Sequence, residues 1–302
     1  MRSSSAWERR CGLRVLIECG FDKLMESEAE IKSLVTQLQL SYANCLGLVA
    51  DAVLERWERA AMVQEEEGAE VRSASTLLAD NAYADQQHDV GRPLAKDRHK
   101  AEAERILAFA AEDCRDNDRD DHEASALHVS NIRSIKPVSL TFTSFQGRVA
   151  EATGRDGGSN NWAVRTNELS FGQVAAGIGD GRLSNSKPLR VIVMSPDAPE
   201  ALAGAPDRHA LYVVGGLCDY KRHTNATLDC AASANDSAAG TSSSSVVVEA
   251  RRLPIEESFQ GTVSVNILTV NQAVEALVRA DINGGDWAEA LTATLPSRKL
   301  RG

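Results

Sequence analysis

The chain has 302 residues, 43% of them hydrophobic, enough to bury one large core or two smaller ones. Its six cysteines (Cys11, Cys19, Cys45, Cys114, Cys218 and Cys230) show no C-x-x-C spacing, which argues against a disulfide scaffold or structural zinc, and no apolar run approaches the roughly 20 residues of a membrane span. The formal charge of −10, from 43 Asp and Glu against 33 Lys and Arg, weighs against a nucleic-acid partner unless it is unevenly placed.

The opening MRSSSAWERRCGLRVL carries Arg and Ser as a transit peptide would, but it is short and passes directly into a strand. With the scattered thiols, this leads us to expect an intracellular protein, in cytoplasm or nucleus rather than mitochondrion. Arg14 to Glu18 (RVLIE) reads as the first strand. A helix follows, opened by a capping box of Ser27 and Glu30, with Ile31, Leu34, Val35, Leu38 and Tyr42 on one face.

Residues 46–130 differ in composition from their surroundings. They hold 20 Asp and Glu against 10 Lys and Arg, which leaves 23 of each elsewhere, so all the excess negative charge sits here. Residues 51–67 and 100–111 are compatible with helix, while EDCRDNDRDDHE (112–123) is a solvated charge run with no EF-hand spacing and no other metal-site pattern. We read 46–130 as an acidic insertion, partly helical or disordered, within a domain made of 1–45 and 131–302.

Beyond it, Val138, Leu140 and Phe142 alternate with polar residues in a strand at 138–145, and Asn160-Asn161-Trp162 precedes a short one. Arg190 to Met194 (RVIVM) has the apolar run of a central parallel strand and ends at Ser195-Pro196-Asp197. Leu211 to Val214 is a fifth strand, breaking at Gly215-Gly216 before Asp219, Lys221, Arg222 and His223. A helix over 225–233 then leads into a Ser- and Ala-rich run, 231–245, that reads as a flexible loop. Strands at 245–251 and 263–268 complete an α/β pattern with a mostly parallel sheet. No G-x-G-x-x-G follows any strand, which removes a dinucleotide-dependent oxidoreductase.

Six blocks occur in a fixed order: ECGFDKLMESEAEIKSLVTQLQLSYAN (18–44), KPVSLTFTSFQGRV (136–149), LYVVGGLCDYKRH (211–223), RRLPIEES (251–258), ILTVNQAVEALV (267–278) and GDWAEALTATLPSRK (285–299). Together they resemble the SPOUT-class tRNA methyltransferases that act on N1 of the purine at position nine. The resemblance covers 15–45 and 131–299. It implies a SPOUT-type sheet flanked by helices with a C-terminal trefoil knot, S-adenosyl-L-methionine as methyl donor, tRNA as substrate, most often guanine as target, and action as a monomer. The implied donor-binding positions are Gly215, Gly216, Leu217, Cys218, Tyr220, Lys221, Arg222, His223 and Thr224 in one loop, Leu253, Pro254 and Ile255 in a second, and Leu268, Thr269, Val270 and Asn271 in a third.

The residue types suit that chemistry. Glycines admit a ligand to the backbone, Pro254 fixes φ in its loop, and Thr269 and Asn271 stand at a helix start, where backbone N–H groups are free. Guanine N1 carries a proton at neutral pH, and Asp219 is the group placed to accept it. An ordinary Asp, with a pKa of about 3.9, is a weak base, so Asp219 either has a raised pKa or mainly orients the base. Pairing with Arg222 or capping the next helix is the structural alternative for Asp219. Lys221, Arg222 and His223, with Arg251, Arg252, Arg298 and Lys299, are candidate phosphate contacts, which position RNA without reading sequence, and a general base is the less favoured reading of His223. Glu18 and Asp197 occupy places where the family carries acids, and each could equally be a polar residue at a strand end. Thr224-Asn225 stands where the family tends to show Lys-Gly. This departure and the acidic insertion leave open a second function, a non-catalytic or partner-dependent tRNA-binding subunit of a processing complex.

Overall fold

The computed structural model describes residues 12–66, 138–156, 162, 164–180, 187–218, 222–239, 245–260 and 267–296. Six strands, β1 (Arg14–Glu18), β2 (Ser139–Thr143), β3 (Arg165–Thr166), β4 (Leu189–Met194), β5 (Leu211–Gly215) and β6 (Val246–Arg251), form one sheet in the order β3-β2-β1-β5-β4-β6. Every pairing is parallel. A parallel sheet needs crossovers and is covered on both faces, which is why the runs RVLIE, LRVIVM and LYVVG are almost continuously apolar.

One face packs Leu16, Val191, Val193, Leu211 and Val213 against Phe171 and Ala175 of α3 (Phe171–Asp180) and Ala231 of α4 (Ala226–Ala239). The alternate residues, Val15, Ile17, Ile192, Tyr212 and Val214, are buried on the opposite face. There α6 (Val270–Ile282) lies against β5, and α7 (Trp287–Thr294) lies against α6 and α5 (Ile255–Phe259). The long α1 (Glu28–Glu66) stacks Tyr42 on Trp162 at 5.9 Å, and Trp162 meets Phe142 of β2 edge-on at 6.3 Å. The remaining helix, α2 (Gly147–Asp156), follows β2.

The register aligns the C-terminal ends of the strands. Glu18 pairs with both Thr143 and Gly215, while Met194 pairs with Val214 and Arg251. This edge is where ligands bind in open parallel sheets, because the loops that leave it are not consumed by the ladder.

The chain divides into two compact units, Met1–Cys45 with Val138–Gly302, and Leu46–Pro137. The described part of the second unit is the run of α1 from Leu46 to Glu66, an uninterrupted continuation of a 39-residue helix. The capping box that opens it is formed in both directions: Glu30 N–H donates to Ser27 Oγ at 3.2 Å, and Ser27 N–H to Glu30 Oε2 at 3.4 Å.

Two expectations change. The stretch 231–245 is not a loop throughout, because α4 continues to Ala239. Alanine is the best helix former, and Ala231 and Ala234 have a hydrophobic cluster to pack against, so a composition that resembles a linker is held as helix. In the strand expected at 263–268, residues 263–266 lie outside the described residues, and Ile267 and Leu268 are not in a strand. The loop 112–123 and the helix at 100–111 also lie outside them.

Candidate functional site

At the C-terminal edge a crevice opens between the ends of β4 and β5 and the start of α6. Met194, Ser195, Pro196, Val214, Gly215, Leu217, Thr227, Leu253, Ile267, Leu268, Val270 and Ala273 line it, enclosing about 70 Å³. Of its lining residues, Ile267 directly follows the segment 261–266 and Leu217 lies two residues before 219–221, both segments outside the described residues. All three loops expected to hold the donor contribute: Gly215 and Leu217 from the first, Leu253 from the second, Leu268 and Val270 from the third. Gly216, Cys218, Arg222, His223, Thr224, Pro254, Ile255, Thr269 and Asn271 are described but do not line the crevice, and Pro254 and Ile255 are buried. Asp219, Tyr220, Lys221, Arg298 and Lys299 lie outside the described residues.

The glycine pair has a packing reason beside the one expected. A Cβ on Gly215 would stand 2.4 Å from Thr227 Cγ2, and one on Gly216 would stand 2.8 Å from the carbonyl oxygen of Glu18. Both positions are therefore glycine so that α4 and the end of β1 can close on β5. Gly216 N–H completes that closure by donating to Glu18 O at 2.8 Å.

Glu18 is 4% exposed, and its carboxylate is wholly engaged within the fold. Oε1 accepts from Gly20 N–H at 2.9 Å, and Oε2 accepts from Thr143 Oγ1 at 3.0 Å and from Phe171 N–H at 2.9 Å. It thus joins β1, β2 and the first turn of α3, where an acid also meets the positive end of the helix dipole. Asp197 is a tether too, since its Oδ2 accepts from Asn225 N–H at 2.7 Å. Asn225 has φ +64, the left-handed region that Gly enters freely and Asn tolerates best among other residues. The exchange of Gly for Asn thus preserves the backbone turn into α4.

The third loop is pinned, not free. Thr269 N–H donates to Gln272 Oε1 at 3.2 Å in a capping box, and Val270 N–H donates to Gln37 Oε1 at 2.8 Å. The expectation of unused N–H groups, made for Thr269 and Asn271, therefore fails for Thr269. Gln37, on α1, also donates from Nε2 to Cys218 Sγ at 3.2 Å, so one side chain holds two of the three loops together.

Arg222, Arg251 and Arg252, the arginines among the candidate phosphate contacts that lie in the described residues, are all ion-paired. Arg222 bridges to Glu26 at 3.1 Å and to Glu30, Arg251 to Glu200 at 2.6 Å and Glu249 at 2.7 Å, and Arg252 to Glu257 at 2.7 Å. The Arg252 hydrogen bond holds Glu257 below the usual carboxylate range. Burial, with help from Glu18, pushes the Cys230 thiol up to about 11, which keeps it protonated at neutral pH. Among the described residues, two buried polar atoms in this region have no hydrogen-bond partner, His223 Nε2 and Thr227 Oγ1. Among the described residues no group of three or more His, Cys, Asp or Glu could hold a metal, and no helix is long and apolar enough to cross a membrane.

Sequence reasoning missed Met194, Ser195, Pro196, Val214, Thr227, Ile267, Ala273 and Gln37. Met194 to Pro196 were findable, because they follow a strand whose C-terminal end had to lie at the ligand edge. Ala273 lies one helical turn beyond Thr269 on the same face. Gln37 gave no signal, since its partners lie 181 and 233 residues away.

The sequence model of one family, described as tRNA (guanine(9)-N(1))-methyltransferase TRM10/TRM10A, matches residues 116–300. No curated protein matches the chain. Among solved structures, the full-length spTrm10–SAH complex is similar at 17% identity and a TM-score of 0.51, over 95% of this chain and 97% of that one. A second form, spTrm10(74), gives 17% identity and a TM-score of 0.52, over 95% of this chain and 96% of that one. A dual-specific Trm10 from Thermococcus kodakaraensis is 11% identical, with a TM-score of 0.47, over 94% and 99% of the two chains.

Proposed function

The chain belongs to the tRNA (guanine(9)-N(1))-methyltransferase family, and from that premise we propose that it methylates N1 of guanine at position nine of tRNA with S-adenosyl-L-methionine as donor. The family match over 116–300 carries the reading, and it favours the enzyme over the partner-dependent subunit.

The crevice has a lining with the chemistry that the adenine ring of the donor needs. Its walls are the aliphatic side chains of Val214, Leu217, Leu253, Ile267, Leu268 and Val270, and its polar side chains are the hydroxyls of Ser195 and Thr227. Flat apolar walls with a few polar groups are what an aromatic heterocycle needs. The buried Thr227 hydroxyl, unpartnered within the protein, supports a polar ligand there. When bound, the donor supplies an electrophilic methyl on a sulfonium that is already a good leaving group. The protein's task is then to hold acceptor and donor in line. Gln37, the Thr269–Gln272 box and the Asp197–Asn225 bond fix the loops that would do so.

Asp219 accepts the N1 proton of guanine as the nucleophile forms, a contribution of about 10²–10⁴-fold for a positioned base. Lys221, Arg222, Arg251, Arg252, Arg298 and Lys299 take tRNA phosphates. Exposed ion pairs of the kind Arg222 and Arg252 make are generally worth about 0–1 kcal/mol, so a phosphate can replace the carboxylate at small cost. A trefoil knot in the C-terminal part and action as a monomer belong to the same proposal.

The test compares wild type with Asp219→Asn on unmodified tRNA bearing guanine at position nine. Binding of S-adenosylhomocysteine unchanged, with turnover reduced at least 100-fold, supports the assignment. Full turnover by the variant removes Asp219 as the base, and absence of binding by wild type removes the donor site.

A further inference from the structure

We propose that the hydroxyl of Thr227 is a ligand contact, hydrogen-bonding the adenine end of the donor in the crevice between β4, β5 and α6; this rests on reading that crevice as the donor site. Thr227 is the second residue of α4 and 4% exposed. Its methyl group is turned to β5, lying 2.4 Å from where a Cβ on Gly215 would be. Its Oγ1 has no hydrogen-bond partner.

A buried threonine in the first turn of a helix has local ways to satisfy its hydroxyl, most simply by donating to the carbonyl four residues back. Thr227 does not use that route. The carbonyl of His223 instead accepts from Ala226 N–H at 3.3 Å. The other hydroxyl lining the crevice, that of Ser195, already accepts from Asp197 N–H at 3.3 Å. Buried polar groups are nearly always paired, and one left unpaired is a net cost to the fold, tolerated where a ligand completes it. The surrounding walls are aliphatic, so they suit the faces of a planar ring more than the charged amino-acid end of the donor. A hydroxyl can donate to a ring nitrogen or accept from an exocyclic amine, and adenine offers both on its edge.

Thr227→Val keeps the shape and the methyl contact with Gly215 while removing the hydroxyl, and Thr227→Ser keeps the hydroxyl while removing the methyl. Calorimetric titration with S-adenosylhomocysteine and with 5′-methylthioadenosine, which lacks the amino-acid end, is run beside the melting temperature of each ligand-free protein. We expect Thr227→Val to melt no lower than wild type, yet to bind both ligands about three- to tenfold more weakly. Thr227→Ser is expected to melt lower and to bind both within about twofold. A purely structural hydroxyl would give the reverse, a lower melting temperature for Thr227→Val with unchanged affinity, and that overturns the proposal. Loss of affinity for S-adenosylhomocysteine alone would place the contact at the amino-acid end and overturns it as well. If wild type binds neither ligand, the reading of the crevice fails first and this inference falls with it; wild-type binding that Thr227→Val leaves unchanged sinks this inference alone.

Discussion

Glu18 provides a test that separates structure from chemistry. It accepts three hydrogen bonds at 4% exposure, one on Oε1 and two on Oε2. In Glu18→Gln the side-chain oxygen can remain with Thr143 and Phe171, which leaves the new NH2 facing Gly20 N–H. One bond to a carboxylate is lost and two donors are opposed, at a cost of about 1.5–3 kcal/mol. For a domain of 150–250 residues each kcal/mol shifts the midpoint by about 2–4 °C, so melting should fall by about 3–12 °C. Glu18→Ala strands all the donors, although Thr143 Oγ1 keeps Ile17 O at 3.4 Å, and should cost roughly twice as much. The assay is thermal and urea unfolding, with methyl transfer measured well below the midpoint and normalised to folded protein. Turnover within about threefold of wild type is expected, because no mechanism routes a proton through this carboxylate. Unchanged stability with turnover down a hundredfold would refute the reasoning and place Glu18 at the reacting atoms.

Gly216→Ala should destabilise by about 1–3 kcal/mol in urea unfolding, because its Cβ meets the Glu18 backbone oxygen at 2.8 Å and neither strand end can yield cheaply. Asn225→Gly should leave stability within a few tenths of a kcal/mol, while Asn225→Ala should lose about 1 kcal/mol at φ +64, both read from the same unfolding curves. Gln37→Ala removes the acceptor of Val270 N–H and the donor to Cys218 at once, and should weaken S-adenosylhomocysteine binding about tenfold by calorimetry. For Cys230 the raised pKa of about 11 means the neutral thiol dominates up to that pH. Alkylation of the folded protein at pH 8 should therefore be about 100-fold slower at Cys230 than at a free thiol, as mass spectrometry would show, and should accelerate on unfolding.

The sheet was largely legible in the sequence. Strands buried on both faces need unbroken apolar runs, and RVLIE, LRVIVM and LYVVG have no other reading once helices separate them. The start of α1 was legible because a capping box is a local pattern. The extent of α4 was not, because alanine and serine suit both linker and helix, and the buried cluster that decides between them is assembled from distant residues. The site was half legible. The three loops were found, yet the reason for Gly215 and Gly216 lies in Thr227 and Glu18, which face them only after folding. Glu18 and Asp197 stand where acids were expected, and their carboxylates serve as backbone tethers that no spacing rule distinguishes from catalytic ones. Gln37 could not be seen at all, since a single hydrogen-bonding side chain on a helix face has no sequence signature.

The account is tested most directly by incubating the purified chain with S-adenosylmethionine and two unmodified transcripts of one tRNA, differing only in guanine or adenine at position nine, and mapping the product by nuclease digestion and mass spectrometry. A single methyl group on N1 of the guanine at position nine is the result expected. Binding of donor and tRNA by the folded protein with no methyl at that position, or with the methyl elsewhere, would contradict it.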